Sequence, residues 1–446
     1  MIKNIIKKFI PQSVLGFYHK SLAIAANVLF GRPSEKIIVI GVTGTNGKST
    51  TVSLIAKILA EAGHQVGATS TVIFKVGEHE WLNDKKMTML GRFALQKLLK
   101  QMIDAGCQYA VIETSSEGIK QFRHLGIHYD VCVFTNLTPE HLEAHGGFAN
   151  YKKAKLKLFE KLEKQKNKKS KNQKIKKTIV VNGDDKYVSE FLNFKVDEKI
   201  IFGLNNNNQL PVTSYQLLIA KDIEFKKTGI FFVVENINFD LKLFGKFNVY
   251  NALAAIAVAK SQGVSLEVCK SALEKVSGVP GRMEFIDAGQ SFKILVDYAP
   301  EPESLRQLYQ AIADHQLSAG GKIIHVLGSC GGGRDISRRP VLGQISAQKA
   351  DIAIITNEDP YDDDPAIIID QVASGALSGG MVLGQNLFKI LDRREAIRKA
   401  ISLAKPGDLV LLTGKGAEQA ICVADGKKIP WDERGVVREI LKISNF

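Results

Sequence analysis

A Gly- and Thr-rich turn is the first segment whose residue types could do chemistry. GVTGTNGKST, residues 41–50, lies between an apolar, strand-like run and a helical pattern. Such a turn offers free backbone N–H groups at a helix start, and Lys48 adds a positive charge. Ser49 stands where phosphate loops place the hydroxyl that binds Mg²⁺. The usual pattern G-x-x-x-x-G-K-[ST] would need Gly at position 42, which is Val, so the segment predicts a nucleotide phosphate site with unusual glycine spacing.

Two further polar segments follow strand-like runs. Glu113 ends an apolar run in VIETSSEG, and His141 and His145 lie in FTNLTPEHLEAHGG. The carboxyl ends of parallel strands meet at one edge of a sheet, where ligands gather. A carboxylate there is either a solvated cap or a metal ligand, and a solitary His is more often structural than a ligand. From residue types alone, both alternatives stay open.

The elements that must position these residues alternate between strand-like runs and helical patterns. This alternation is typical of an α/β protein with a mostly parallel sheet. Residues 215–243, rich in Ile, Phe and Val with a Lys-Thr-Gly turn, predict a small antiparallel meander. A Gly/Pro break at 277–289 predicts a domain boundary near residue 281, after which a second, Rossmann-like α/β unit begins. The predicted division is a short segment 1–35, an ATP-binding domain 36–280 and a C-terminal domain 281–446.

The composition excludes several classes of protein. The chain has 446 residues, of which 45% are hydrophobic and 24% charged, as in ordinary globular proteins. Its five cysteines are scattered, which argues against a disulfide framework or a Cys-rich zinc site and indicates a reducing cytoplasm.

The net charge of +14 comes largely from one stretch. Residues 152–177 contain thirteen Lys and two Glu. Within it, residues 163–177 carry few apolar side chains and are interpreted as a solvated helix end and loop. A nucleic-acid patch is the alternative, but no aromatic residues are interleaved to stack on bases, so no nucleic-acid partner is expected.

The N-terminal segment is basic and apolar. Its longest uncharged run, residues 21–31, is too short to span a bilayer. It is expected either to pack as a helix on the next domain or to lie on a membrane surface as a peripheral contact.

Several motifs, in order, resemble those of the Mur ligase family, which forms amide bonds by activating a carboxylate as an acyl phosphate. The glycines at 41 and 44 follow that family's own loop spacing. ETSSEGIKQFR, FTNLTPEHLEAHGG and YKKAKLKLF are similar to segments of its MurE branch, and further matches continue to the C-terminal region. These are GKFNVYN, GVPGRME, VDYAPEP, GSCGGGRD with RRP, and GKGAEQ.

The resemblance implies a site for ATP and Mg²⁺. Lys48 and its loop would bind the phosphates, while Ser49 and Glu113 would hold one Mg²⁺. His141 and a carbamylated Lys155 would hold a second, so that Lys48, Glu113, His141 and Lys155 carry the catalysis. The remaining implied ATP contacts are Gly44, Thr45, Asn46, Gly47, Thr50, Asn248, Asn251, Arg282 and Asp297.

The resemblance also implies the substrates. The enzyme would be a cytoplasmic, probably monomeric ligase that adds an amino acid to UDP-MurNAc-L-Ala-D-Glu in peptidoglycan precursor synthesis. Ser115, Gln121 and Arg123 would hold this acceptor. The incoming amino acid, of the diaminopimelate or lysine type, would meet Arg334, Asp359, Tyr361 and Glu418. The base that deprotonates its amine is not identified.

The sequence departs from the family pattern in four places. Only some thirty-five residues precede the loop, too few for the usual UDP-binding domain, and TML (88–90) replaces T-T-P. Glu117 and Pro300 stand where the family has His. The Arg of D-N-P-R is Tyr361 in EDPY, and acidic neighbours would favour a cationic side chain, so lysine or an unusual diamine is expected.

Two other functions compete with this interpretation. A folylpolyglutamate- or cyanophycin-synthetase-like ligase would share the ATP site and the short N-terminal segment. A phosphate-loop NTPase acting on nucleic acid would use the Lys-rich stretch, but it leaves Lys155, Arg282 and Asp297 unexplained.

Overall fold

The computed structural model describes residues 12–140, 142–170, 173–205, 214–318 and 320–443. Within them, eleven strands form one sheet in the order β13-β12-β11-β10-β9-β6-β1-β5-β2-β3-β4. These strands are β1 (Ile38–Thr43), β2 (Val66–Thr69), β3 (Ile73–Val76), β4 (His79–Leu82), β5 (Tyr109–Glu113), β6 (Val131–Phe134), β9 (Thr178–Asn182), β10 (Glu198–Gly203), β11 (Gln216–Lys226), β12 (Gly229–Val234) and β13 (Ile237–Leu241). A short hairpin consists of β7 (Lys169–Ser170) and β8 (Gln173–Lys174).

A second sheet has the order β14-β15-β19-β16-β17-β18, and a two-stranded ribbon joins β20 to β21. Their bounds are β14 (Glu284–Phe285), β15 (Lys293–Val296), β16 (Ile323–Leu327), β17 (Ile352–Ile355), β18 (Leu387–Lys389), β19 (Leu409–Leu412), β20 (Ala420–Cys422) and β21 (Lys428–Pro430). All pairs of the second sheet are parallel except β14–β15.

The helices cover the faces of both sheets. They are α1 (Gln12–Leu29), α2 (Lys48–Glu61), α3 (Arg92–Asp104), α4 (Ser116–Lys120), α5 (Leu142–His145), α6 (Phe148–Lys164), α7 (Val188–Leu192), α8 (Lys246–Ser261), α9 (Leu266–Glu274), α10 (Pro302–Asp314), α11 (Arg338–Lys349), α12 (Pro365–Ser378), α13 (Arg393–Leu403) and α14 (Glu433–Ile443). Short 3₁₀ turns are Pro33–Glu35, Arg123–Gly126 and Ala424–Gly426. We call the large sheet with α1–α9 the first lobe and the smaller sheet with α10–α14 the second lobe.

Strand periodicity explains why both sheets are buried on both faces. Successive side chains of a strand point to opposite faces. In β1, Ile40 and Val42 join the core under α2 and α8, whereas Val39 joins the opposite core with α3 and α6. In β19, Leu411 and Leu412 divide in the same way between the two cores of the second lobe. The apolar runs therefore form the α/β architecture that the sequence predicts.

The central seven strands of the large sheet are parallel, and antiparallel strands extend it at both ends. The meander predicted at 215–243 is confirmed as β11–β13. A second antiparallel ribbon, β2–β3–β4, was not predicted. The division at residue 281 lies between α9 and β14, and it stays a prediction.

Helix α1 packs on the first lobe through its small residues. Ala23 and Ala26 are buried, and Gly126 lies so close that a Cβ there would be 2.7 Å from the Ala23 carbonyl oxygen. Its opposite face exposes apolar side chains, with Phe17 73% and Leu29 70% exposed. Among the described residues, every helix is too short or too polar to cross a bilayer.

The interpretation of 163–177 as a solvated stretch is wrong for Lys168, and two lysines that precede it, Lys155 and Lys161, also make contacts inside the first lobe. Lys155 is buried in the cavity described below. Lys161 donates to the Leu125 carbonyl, and the nearly buried Lys168 pairs with Asp130. These lysines hold α6 and the following chain against the sheet because their stems pack on apolar surface while their ammonium groups find acceptors.

Candidate active site at the carboxyl ends of the strands

A cavity of about 490 Å³ opens at the carboxyl edge of the large sheet and is closed on its other side by the second lobe. Most of the predicted site residues that the structure describes line it. They are Gly44, Thr45, Asn46, Gly47, Lys48, Ser49, Thr50, Glu113, Ser115, Lys155, Asn248, Asn251, Arg282, Asp297 and Arg334. Gln121, Arg123, Asp359, Tyr361 and Glu418 do not line this cavity.

The loop between β1 and α2 needs glycine at 44 and 47. Gly47 has φ 81°, in the left-handed region that favours glycine. A Cβ on Gly44 would lie 1.9 Å from the Thr135 hydroxyl. Position 42 differs because Val42 is still part of β1, in register with Glu113 and completely buried. The unusual spacing therefore reflects a strand that continues one residue further before the loop begins.

Neighbouring segments hold this loop in place. Asn136 accepts a hydrogen bond from the Asn46 amide at 2.8 Å, and its carbonyl accepts one from the Thr45 amide at 2.9 Å. The Lys48 ammonium donates to the Thr45 carbonyl at 2.7 Å. Burial lowers the pKa of Lys48, while Glu113 and Glu140 oppose that shift. The loop thus offers a fixed set of donors and one partly buried lysine for an anion.

Ser49 and Glu113 lie side by side, as predicted. The Ser49 hydroxyl donates to the Glu113 carboxylate at 2.8 Å, and the Thr71 amide donates to the same oxygen at 2.7 Å. These hard oxygen atoms suit Mg²⁺, which takes one or two carboxylates together with phosphate oxygens. Among the described residues, no group of three or more His, Cys, Asp or Glu side chains is arranged to hold a metal by itself. The donor set fits a Mg²⁺ shared with nucleotide phosphates.

Lys155 lies at the centre of this wall. Its side chain is 1% exposed, its ammonium donates to the Gly44 carbonyl at 2.6 Å, and it stands 4.3 Å from the centre of the Tyr151 ring. Burial, with a smaller contribution from Lys48, holds the pKa of Lys155 well below its usual value. Only the uncharged form of a lysine amine is nucleophilic, so a lowered pKa makes such a side chain easier to use as a nucleophile.

His141 lies outside the described residues. Glu140, just before it, lines the cavity and accepts from the Asn46 side chain at 3.1 Å. Burial and the nearby Glu301 raise the pKa of Glu140 to about 7. The sequence analysis did not select Glu140, although the family segment F-T-N-L-x-x-D-H carries an acid at this position. His145 is buried and packs edge-on against Tyr151 at 5.2 Å, in a structural position.

The opposite wall begins at α8. Asn248 and Asn251 are buried, and the Asn251 amide donates to Asn248 at 2.9 Å. Thr51 in α2 donates to Asn251 at 3.3 Å, which ties this wall to the phosphate loop.

The second lobe contributes Arg282 and Asp297. The Arg282 guanidinium stacks 4.5 Å from the Tyr298 ring centre. Asp297 accepts from the Met283 amide at 2.7 Å and from the Ala299 amide at 2.8 Å, so it fixes the chain beside Arg282. Burial raises the pKa of Asp297, and Arg282 opposes that shift. A further pair that sequence reasoning missed, Glu301 with Arg338, also lines the cavity.

The three predicted acceptor contacts are not placed together. Ser115 lines the cavity and caps α4 by accepting from the Gly118 amide at 3.1 Å. Gln121 accepts from Arg123 at 2.6 Å, and Arg123 also donates to the Met89 carbonyl. Gln121 and Arg123 thus brace the TML loop from outside the cavity, and their contact with substrate stays a prediction.

The residues predicted to meet the amino acid also divide. Arg334 lines the cavity, whereas Tyr361, at φ 52°, packs its ring on Gly332. Glu358 accepts from the Cys330 thiol at 2.8 Å and is buried. It is therefore engaged inside the second lobe.

Asp359 and Glu418 meet two lysines in what we call the charge cluster (Lys86, Asp359, Lys415 and Glu418). Lys86 lies 2.6 Å from both carboxylates. Lys415 lies 2.9 Å from Asp359 and 3.1 Å from Glu418. Lys86 comes from the first lobe and was not predicted, because nothing in its local sequence distinguishes it from an exposed lysine.

Comparisons with known proteins agree with this geometry. Two family models match: the Mur ligase middle domain over residues 42–259 and the Mur ligase glutamate ligase domain over residues 281–416. A UDP-N-acetylmuramyl-tripeptide synthetase of Roseiflexus sp. is 39% identical over 429 residues, which cover 94% of this chain and 82% of the relative.

Solved structures share the fold. A UDP-N-acetylmuramoyl-L-alanyl-D-glutamate–2,6-diaminopimelate ligase matches with a TM-score of 0.58 and 27% identity, over 92% of this chain and 79% of that one. A folylpolyglutamate synthase of Mycobacterium tuberculosis has a TM-score of 0.66 at 15% identity, over 88% and 92% of the chains, which is a likeness of fold alone. This chain belongs to the Mur ligase family and is an ATP-dependent ligase.

Proposed function

We propose that this ligase adds an amino acid to UDP-MurNAc-L-Ala-D-Glu during peptidoglycan precursor synthesis. The names of the Roseiflexus relative and of the 27%-identical solved structure support this substrate class. The observation that carries the proposal is one cavity holding the phosphate loop, the Ser49–Glu113 pair and the buried Lys155, with Arg282 and Arg334 on its opposite wall. The folylpolyglutamate-type alternative has only the fold in its favour.

The residues of the cavity suit a two-step reaction. In the first step, a carboxylate oxygen of the acceptor attacks the γ-phosphorus of ATP, and ADP leaves. In the second, the amine of the incoming amino acid attacks the acyl carbon, phosphate leaves, and the amine loses a proton. The chain's contribution to the first step is positioning and charge neutralisation, which dominate phosphoryl transfer.

Each wall of the cavity has a role in that positioning. The Gly44–Gly47 amides and Lys48 would hold the β- and γ-phosphates. Asn248 and Asn251 would line the adenine site. Arg282 and Asp297 would close on the nucleotide from the second lobe.

Mg²⁺, bound by Ser49 and Glu113, would neutralise charge on the transferring phosphoryl group. Lys155 would become a carbamate: its uncharged amine attacks CO₂, an N–C bond forms, and a proton is released to water. The lowered pKa of Lys155 favours this step, since only the free amine is nucleophilic. The resulting anion, with His141, would serve a second Mg²⁺.

The amino-acid subsite would lie at the second lobe. Arg334 would bind the α-carboxylate, and the acid pair Asp359 and Glu418 would receive a side-chain ammonium. Tyr361 would replace the Arg expected of diaminopimelate enzymes, which favours lysine. Ser115 would bind the acceptor. Gln121 and Arg123 would act on the acceptor by holding the TML loop in place.

One experiment tests the proposed function. The protein is incubated with ATP, Mg²⁺, UDP-MurNAc-L-Ala-D-Glu and single amino acids, and phosphate release and product mass are measured. We expect a mass gain of one amino-acid residue with equimolar phosphate. No mass gain with any amino acid would overturn the proposal, and a gain only with a folate acceptor would favour the alternative.

We further propose that the enzyme works in the cytoplasm as a monomer, with α1 as a peripheral membrane contact. The support for that contact is the exposed apolar face of α1, including Phe17, Ile24 and Leu29. Co-sedimentation with anionic vesicles should fall when Phe17 and Leu29 are changed to Ser. Equal sedimentation of both proteins would exclude the contact, and light scattering gives the oligomeric state.

A further inference from the structure

The acid pair proposed to receive the substrate's ammonium already holds an ammonium of the chain. Lys86 donates to Asp359 and to Glu418, both at 2.6 Å, and its side chain is only 4% exposed. Asp359 also accepts from Lys415, and Glu418 forms an ion pair with it at 3.1 Å, so two positive and two negative charges balance in the charge cluster. The adjacent acids raise the pKa of Lys86, which therefore remains protonated at neutral pH.

The two lysines of the cluster are attached in different ways. Lys415 is fully buried and also donates to the Ala420 carbonyl at 2.8 Å, within its own segment of the second lobe. Lys86 reaches across from the first lobe, from a turn between β4 and α3. Its backbone has φ 56°, a conformation that a non-glycine residue adopts only where its surroundings hold it.

Asn83 provides that support without the Lys86 side chain. Its side-chain amide donates to the Ser70 carbonyl at 2.6 Å and to the Met87 carbonyl at 3.0 Å. Its side-chain oxygen accepts from the Lys85 amide at 2.9 Å. The turn is thus closed at both ends by contacts that do not involve the Lys86 side chain, which carries its ammonium on a flexible four-carbon stem.

We propose that Lys86 is a specificity-determining residue that occupies the side-chain ammonium subsite until the incoming amino acid displaces it. The exchange replaces one ammonium by another, so Asp359 and Glu418 never lose their counter-charge. A neutral side chain cannot make this exchange, because it would leave two largely buried carboxylates with one cation. This inference rests on the proposed function, since it assumes that the subsite takes an amino acid.

Competition of this kind weakens the substrate's apparent affinity in a defined way. The apparent Kd rises by the inverse of the fraction of molecules in which the subsite is open. If Lys86 holds the pair about nine-tenths of the time, removing its ammonium should improve affinity for a diamino acid about tenfold. Affinities for ATP and for the acceptor should not change.

The test compares Lys86→Met with Lys85→Met, a matched control at an exposed lysine that pairs only with its neighbour Asp84 among the contacts described. In Lys86→Met, the KM for L-lysine should fall about tenfold, and L-norleucine, which supplies no ammonium in place of that of Lys86, should remain the poorer substrate of both proteins. The control should behave as the wild type. An unchanged KM for L-lysine, or a lower kcat with raised KM for all substrates, would overturn the proposal, the latter showing that Lys86 keeps the lobes closed.

A binding measurement separates this inference from the proposed function. Lys86→Met should have a lower Tm than the wild type, and L-lysine should restore more of it than equal L-norleucine. If the wild type forms no product with any amino acid, the proposed reaction fails, but this Tm pattern would still support the exchange at Asp359 and Glu418. Equal Tm shifts with the two amino acids would overturn it.

Discussion

The phosphate-binding end of the cavity and the charge cluster are built from different kinds of contact. At the phosphate end, residues close in sequence form the loop, and Asn136 fixes its backbone by accepting hydrogen bonds from the Thr45 and Asn46 amides. In the charge cluster, Lys86 meets Asp359 and Glu418 across 273 and 332 residues of chain. The first is a rigid cradle set by local conformation, whereas the second joins ion pairs within the second lobe to Lys86, whose contacts form only where the lobes meet.

The largest effect is expected from Lys155 at the phosphate end. Lys155→Ala should reduce turnover to below about 1% of the wild type, because the proposed carbamate supplies oxygen ligands that no neighbour replaces. Phosphate release with saturating substrates measures this loss. Lys153→Ala, an exposed lysine on the same helix, is the control. Full activity of Lys155→Ala would contradict the proposed carbamate, and partial rescue by a short carboxylic acid would support it.

The phosphate loop should tolerate substitution nearly as poorly as Lys155 does. Gly44→Ala should raise the Kd for ATP at least about tenfold, because the new Cβ would overlap the Thr135 hydroxyl and push the loop from its place. Equilibrium binding of a fluorescent ATP analogue measures it. Gly91→Ala, where a Cβ meets open space, should bind ATP normally. Equal binding by both variants would show that the loop is more adaptable than its contacts indicate.

Restoring the usual glycine pattern should harm the protein. Val42→Gly should lower the free energy of unfolding by about 3 kcal/mol, through a core cavity and added chain entropy, without improving ATP binding. Urea unfolding measures the loss. Val382→Gly, at a residue 47% exposed, is the control and should cost much less. Unchanged stability of Val42→Gly would contradict the assignment of residue 42 to the β1 core.

The free energy of unfolding should fall in acid because of a buried histidine in the second lobe. His325 is completely buried, with Thr413 at 2.9 Å from Nε2, and burial lowers its pKa to about 3. The unfolded chain gains this proton below pH 6.5 and the folded chain does not. His325 therefore lowers the free energy of unfolding by about 2 kcal/mol between pH 7 and pH 5.

Urea unfolding of wild type and His325→Gln at both pH values tests this. The variant should lose about 2 kcal/mol less than the wild type over that interval, whatever its stability at pH 7. The same pH dependence in both proteins would show that His325 is protonated in the folded state.

Much of the fold could be predicted from the sequence because it depends on short-range patterns. Short, continuous apolar runs predicted the strands, and the meander at 215–243 was predicted from β-branched and aromatic residues around a turn. The β2–β3–β4 ribbon was missed because its strands, VGAT, IFKV and HEWL, lack the continuous apolar runs of the parallel strands. The burial of Lys168 was missed for another reason, because it depends on Asp130, a residue 38 positions away.

The candidate site, like the fold, could be predicted from the sequence only in part. The family resemblance implied that Ser49 and Glu113 hold one Mg²⁺ together, and they lie 2.8 Å apart. Lys155 was selected through family resemblance and not through its own sequence environment. No such resemblance selected Lys86. The sequence analysis inferred from Asp359 a preference for a cationic substrate side chain, but it did not foresee that Lys86 of the chain itself pairs with Asp359.

The sequence by itself determined the phosphate loop, the class of fold and the family, because glycine spacing and strand periodicity act over a few residues. Only the tertiary structure decided that Val42 remains in a strand, that Lys155 is buried against the Gly44 carbonyl, and that Lys86 neutralises the acids of the second lobe. Burial and long-range ion pairing set these properties. Both depend on which distant segments the fold brings together, and no local pattern records that.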